Sequence, residues 1–290
     1  MQIQAALAGF LVQLDADGRS PHTKGQYQRH VTSLITWLND HDQPTTVAKL
    51  TPELLAKFFA DDATQTSCRG GRKKASSANA MRTSLRCFAC WLHDAGYVAA
   101  NPARLLRRAR CAAPPPKALR PDEQQRLLQV LAVASAPEAL RDRMLIELLL
   151  GAGLRIGSAI AINIEDIDFD HAEVSLRTTK GDRPTTTVLP RHLVSSLRTF
   201  LGERREGPVF RAGERRVSLR HMQRRLAAWF KVANIAGKSA HSLRHSFATG
   251  LLAKTGDIRL VQSALNHASI VSTTIYVGAD RDKLREAVGA

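Results

Sequence analysis

Four cysteines among 290 residues, at positions 68, 87, 90 and 111, are too few for the disulfide framework of a secreted scaffold. A reducing compartment is expected. No apolar run is long enough to span a bilayer, since the richest, MLIELLLGAGL, is short and interrupted by Glu147. The opening AALAGFLVQL has neither a basic leader nor a clear cleavage site, so a soluble, cytoplasmic protein without a membrane partner is predicted. There is no internal repeat, no long low-complexity tract and no Gly-rich phosphate loop, and ATP is not implied.

Metal-ligand patterns are also thin. Cys87, Cys90 and His93 have suggestive spacing, but they lie in the helical run SLRCFACWLH, where Leu85, Phe88 and Trp91 or Leu92 mark an apolar face. His241 and His245 are four apart, yet Ser242 stands where a metalloprotease would need glutamate, and no third ligand is evident. No metal site is expected.

Positive charge is abundant. Lys and Arg number 42 against 26 Asp and Glu, a formal net charge of +16, and residues 1–110 and the remainder are each net basic. Two basic folded halves suit a polyanion gripped from two sides, and duplex DNA fits that geometry. The length, with 44% apolar residues, favours two domains with packed cores, one long domain being the alternative.

Helical signals dominate the first hundred residues. A helix is predicted near 3–15, and Ser20-Pro21 opens a second with Tyr27, Val31, Leu34, Trp37 and Leu38 at helical spacing. Thr51-Pro52-Glu53 opens a third, and ANAMRTSLRCFACWLHDAG forms a fourth that Gly96 stops. Between the last two, Arg69, Arg72, Lys73 and Lys74 sit beside two glycines and precede Arg82 and Arg86, a good arrangement for phosphate contacts. Three consecutive prolines in RLLRRARCAAPPPKALRPDE predict an extended strut, placing a linker at 108–118 between domains 1–107 and 119–290.

Beyond the linker, Pro121-Asp122-Glu123 opens a helix and RDRMLIELLLGAG continues in helical pattern. EVSLRTTKGDRPTTTVLP reads instead as an antiparallel hairpin with Lys180 near its turn, and helices are predicted from about Arg191 to the end.

An ordered set of residues then stands out: Arg155 in GAGLRIGS, Lys180, His241 and Arg244 in HSLRHSFAT, His267 in LNHAS, and Tyr276 in TTIYVGA. Together they resemble the tyrosine recombinase (phage integrase) family, whose pattern is Arg, Lys, His-x-x-Arg, His or Trp, then Tyr. The likeness extends through LRPDEQQRLL, GLRIGSAIAINIEDID and HSLRHSFATGLL. In the first half, TKGQYQRHVTSLITWL and SSANAMRTSLRCFACWLHDAGYVAANP are similar to the family's core-DNA-binding domain, most like Xer-type recombinases.

The resemblance implies a mainly α, two-domain DNA clamp. Its N-terminal domain would be a four-helix, SAM-like core-binding module, and its C-terminal catalytic domain α+β with a small antiparallel sheet. It also implies a site-specific recombinase acting without metal or cofactor, through a 3′-phosphotyrosyl intermediate and a Holliday junction. Its partners would be a double-stranded recombination site and a homotetramer on two such sites, alone or with a paralogous recombinase. The tail RDKLREAVGA would then dock on a neighbouring protomer.

The residue types suit that chemistry. Arg155 and Arg244 would clamp the non-bridging oxygens, because a guanidinium binds them bidentately without changing protonation. His241 and Arg244, three apart, fall on one face at a helix start, where free N–H groups favour an anion. By the resemblance, Lys180 protonates the departing 5′ oxygen, while His241 and His267 assist Tyr276, whose phenol is a weak nucleophile at its ordinary pKa of about 10.

Two positions depart from the family pattern. Ser158 replaces a glutamate three residues after Arg155, a loss that either weakens the positioning of the catalytic groups or is offset by Glu165 or Asp166 nearby, and Asn266 replaces the usual glycine before His267. Two alternatives accompany the main reading: a catalytically impaired DNA-binding accessory protein, and a type IB topoisomerase-like activity.

Overall fold

The structure is a computed structural model and describes residues 1–68, 70–111, 117–136, 138–176 and 185–265. The chain divides into two compact units, Met1–Ala112 and Ala113–Ala290, each described here by itself.

The first unit is helical: α1 (Ile3–Ala16), α2 (Pro21–Asp40), α3 (Pro52–Ala60), the single turn α4 (Asp62–Gln65) and α5 (Ala75–Asp94). The cap residues act as their types predict. The Ser20 hydroxyl accepts from the Thr23 N–H and that of Thr51 from the Leu54 N–H, both at 3.2 Å, and proline occupies the first helical position after each cap. α5 ends where Gly96 adopts φ +76°. Phe10, Leu34, Leu38, Phe58, Leu85, Phe88 and Leu92 fill the core between these helices.

The second unit begins with α6 (Pro121–Ala132), whose Glu123 carboxylate accepts from the Arg120 N–H, and α7 (Ala139–Ala152), then α8 (Ile156–Ala161). Strands β1 (Ile167–Asp168), β2 (Glu173–Leu176) and β3 (Thr185–Val188) form an antiparallel sheet in that order. Helix α9 (Arg191–Leu201) follows, then a two-stranded ribbon of β4 (Arg211–Ala212) and β5 (Arg215–Arg216). The helical pattern predicted beyond Arg191 is thus interrupted. The turn residue Gly213, at φ +60°, lets the chain reverse there.

Helices α10 (Leu219–Val232), α11 (Ala240–Thr255) and α12 (Ile258–Ala264) complete the described unit. α7 is its central helix, with Leu145, Ile146, Leu148 and Leu149 buried. Charged groups lie in the same interior, Asp142 the deepest. The fully buried Asp142 carboxylate accepts from Arg141 (2.7 Å), Arg225 (2.7 Å) and the Trp229 indole (2.8 Å), tying α7 to α10. Its charge is therefore both paired and hydrogen-bonded, the condition under which a buried carboxylate is tolerated. No described helix is long and apolar enough to cross a membrane.

Candidate active site

Three of the six residues singled out for catalysis lie in the described part. Arg155 caps α8, while His241 and Arg244 sit in the first turns of α11. They line one open pocket of about 400 Å³ together with Leu154, Gln223, Phe230 and Lys238. Lys180, His267 and Tyr276 lie outside the described residues, as do Asn266 and the tail RDKLREAVGA.

The two arginines are held differently. Arg244 is only 3% exposed and donates to the carbonyls of Gly153 and, at 2.6 Å, Leu265. Its guanidinium thereby ties the end of α7 and the chain after α12 to α11. Arg155 is exposed, and its side chain makes no hydrogen bond or ion pair among the described residues. A buried cation anchored by carbonyls and an exposed one without a hydrogen-bond partner among the described residues can receive one anion from two directions.

The helix carrying His241 starts at a reciprocal cap, with the Ser239 N–H donating to the Ser242 hydroxyl at 3.1 Å. Partial withdrawal from water, then the charges of Arg244 and Arg155, hold the His241 pKa below the ordinary imidazole value. His245 packs edge-on against it, with ring centroids 4.5 Å apart. Burial, helped by His241 and Arg244, pushes His245 down to about 4. Both rings are accordingly neutral at pH 7, and His241 can accept a proton.

The two carboxylates weighed as substitutes for the glutamate that Ser158 replaces are engaged elsewhere. Glu165 accepts from the Gly207 N–H at 3.0 Å and Asp166 from the Asn163 N–H at 2.9 Å, and neither lines the pocket. Asp166 thus caps its own short turn, and Glu165 is held by a backbone donor 42 residues away. Ser158 is half-buried within α8. Lys238 and Gln223 line the pocket but were not singled out from sequence; Lys238, three residues before His241, carried only that proximity as a signal.

In the first unit, Arg72, Lys73 and Arg82 line a second pocket of about 300 Å³ with Phe59 and Met81. Arg72 bonds Gln65 and the Lys73 amine bonds the Thr64 carbonyl, so the loop is braced by the same groups expected to meet phosphate. The Arg82 guanidinium lies over the Phe59 ring at 5.0 Å. Lys74 caps α5, Arg86 is exposed one turn beyond Arg82, and Arg69 lies outside the described residues.

A helical chain of two units, with guanidinium and imidazole groups meeting at a helix N-terminus, has the makings of an enzyme that acts on a phosphodiester. Residues 117–283 match the phage integrase family, and residues 7–96 match the phage integrase N-terminal SAM-like domain. The tyrosine recombinase XerC of Serratia marcescens is 31% identical over 299 residues, covering 99% of this chain and 94% of that protein. XerC of Chromobacterium violaceum is 33% identical over 282 residues, covering 95% and 90% respectively. Among solved structures, the XerH site-specific recombinase bound to palindromic difH substrate has a similar fold, with a TM-score of 0.73 at 20% identity over 91% of this chain and 78% of that one. The chain belongs to the phage integrase family, and it is a tyrosine recombinase, an enzyme of DNA strand breakage and rejoining.

Proposed function

We propose that the chain performs conservative site-specific recombination on duplex DNA, with Tyr276 as nucleophile. The observation that carries the reading is the meeting of Arg155, His241 and Arg244 in one pocket at the start of α11. Arg155 and Arg244 bind the non-bridging oxygens and stabilise the charge that builds on them. His241, neutral at pH 7, and His267 help to remove the phenolic proton. The Tyr276 oxygen bonds to phosphorus as the bond to the 5′ oxygen breaks, and Lys180 protonates that oxygen. The product is a 3′-phosphotyrosyl diester and a free 5′ hydroxyl, so the diester linkage is conserved and a second strand's hydroxyl can reverse the step.

Arg69, Arg72, Lys73, Lys74, Arg82 and Arg86 would hold the DNA backbone from the first domain, 1–107, with the linker at 108–118 and the catalytic domain at 119–290. Four protomers on two sites, linked through their C-terminal tails, would pass through a Holliday junction, with the enzyme associated with DNA in the cytoplasm. The XerH structure, bound to its difH substrate, supports the DNA partner.

Ser158, with Glu165 and Asp166 committed to backbone donors, favours a second reading, a DNA-binding accessory protein with a weakened site. One experiment separates the two. Duplexes selected from a random pool by the purified protein are rebuilt as nicked suicide substrates; the native protein should form a covalent adduct and Tyr276→Phe none. Tight binding without an adduct would establish the accessory reading.

A further inference from the structure

The chain enters the second unit along residues 117–120, and two of these are bonded directly to the helix that carries His241 and Arg244 or to its approach. The Leu119 N–H donates to the Ser246 hydroxyl at 2.7 Å, and Ser246 donates onward to the Ser242 carbonyl at 2.9 Å. Ser246 is 6% exposed, so water does not compete at this junction. One residue earlier, the Ala118 carbonyl accepts from the Lys238 ammonium at 2.5 Å, and the same ammonium lies 3.7 Å from Glu123 in α6. Gln124 closes the arrangement by donating to the Leu119 carbonyl at 3.1 Å.

The placement of these partners is specific. Ser242 adjoins His241 and supplies the reciprocal cap that starts α11, Ser246 adjoins His245, and Lys238 lines the pocket that holds Arg155, His241 and Arg244. The entering segment is therefore fastened at both ends of the short stretch 238–246 that bears the reactive groups. Side chains remote from the reacting atoms gain leverage in this way, because a displacement of about 1 Å of a catalytic group costs on the order of a hundredfold in rate.

We propose that Ala118–Leu119 is a strap on the catalytic helix, and that Lys238 and Ser246 are positioning residues through which the interdomain segment sets His241 and Arg244 on the phosphate. The inference rests on the recombinase reading above. It places Lys238 in a role distinct from direct contact with DNA, since its ammonium is already engaged by Ala118 and Glu123. Pull on the interdomain segment then reaches the reacting centre through two hydrogen bonds, without a change in the units themselves.

The test uses the full chain and the nicked duplex selected by it. Ser246→Ala and Lys238→Met should each slow adduct formation at saturating duplex by about tenfold, a fraction of the cost of a full misplacement. Duplex affinity should change less than about twofold, while Lys238→Arg restores most of the rate because a guanidinium can reach the same carbonyl. In the free protein, Ser246→Ala should speed hydrogen exchange at the Leu119 amide, a readout independent of activity. Unchanged adduct rates beside an active native protein would overturn the inference alone, as would a fall in affinity at unaltered rate, which would make Lys238 a phosphate contact. Rates that fall only in proportion to unfolded protein, judged by circular dichroism, would reduce both residues to fold stability and overturn it too. If the native protein forms no adduct, the recombinase reading falls and the inference with it.

Discussion

At the scale of single residues, Arg244 and His245 make the sharpest claims. Arg244 holds two carbonyls in the interior as well as facing the pocket. Arg244→Ala should abolish the covalent adduct and also lower stability by about 1–3 kcal/mol, the cost of leaving buried polar groups unsatisfied, measured by urea titration. For His245, a folded pKa of about 4 lies below the ordinary imidazole value of about 6.5, so between these values the unfolded chain binds more protons. Stability should therefore fall as pH drops from 6.5 towards 4 and level off below. His245→Gln should flatten that part of the thermal midpoint against pH. His241 acts in the same sense on rate: because its pKa is lowered, the acid limb of adduct formation should lie below the usual imidazole range.

At the scale of elements, the junction of α7 and α8 is the most exacting. Gly153 ends α7 at φ +61°, and a methyl group there would sit 2.2 Å from a ring carbon of Phe247 on α11. Gly153→Ala combines a left-handed backbone penalty of about 1–2 kcal/mol with overpacking of about 1–3 kcal/mol. A lowered thermal midpoint with loss of adduct would show both effects, since Gly153 also presents the carbonyl that Arg244 holds. Such elements were legible to different degrees. Ser20, Thr51 and Pro121 announced helix starts because capping is local chemistry, and the β2–β3 pairing followed from β-favouring residues on either side of a turn sequence. The β4–β5 ribbon has two residues a side, too short for any periodicity to register. The Asp142 network and the Lys238–Ala118 bond escaped because their partners stand 83 and 120 residues away. The local pattern HSLRH identified His241 and Arg244, whereas the diversion of Glu165 to the Gly207 amide, 42 residues away, is a tertiary outcome that spacing does not encode.

At the scale of the whole molecule, each unit has its own core, and the excess of basic residues is shared between them. DNA affinity should weaken steeply with added salt, and Arg86→Ala should reduce the slope of log affinity against log salt by about one, by fluorescence anisotropy. The contrast between the two pocket arginines also bears on ancestry. A lineage that abandoned strand exchange would still retain Arg244, because folding alone selects for its grip on Gly153 and Leu265. Exposed Arg155 has no such second employer among the described residues, so drift would erase it early. Its presence in the pocket is therefore the more telling mark of a site built for cutting DNA rather than only for holding it.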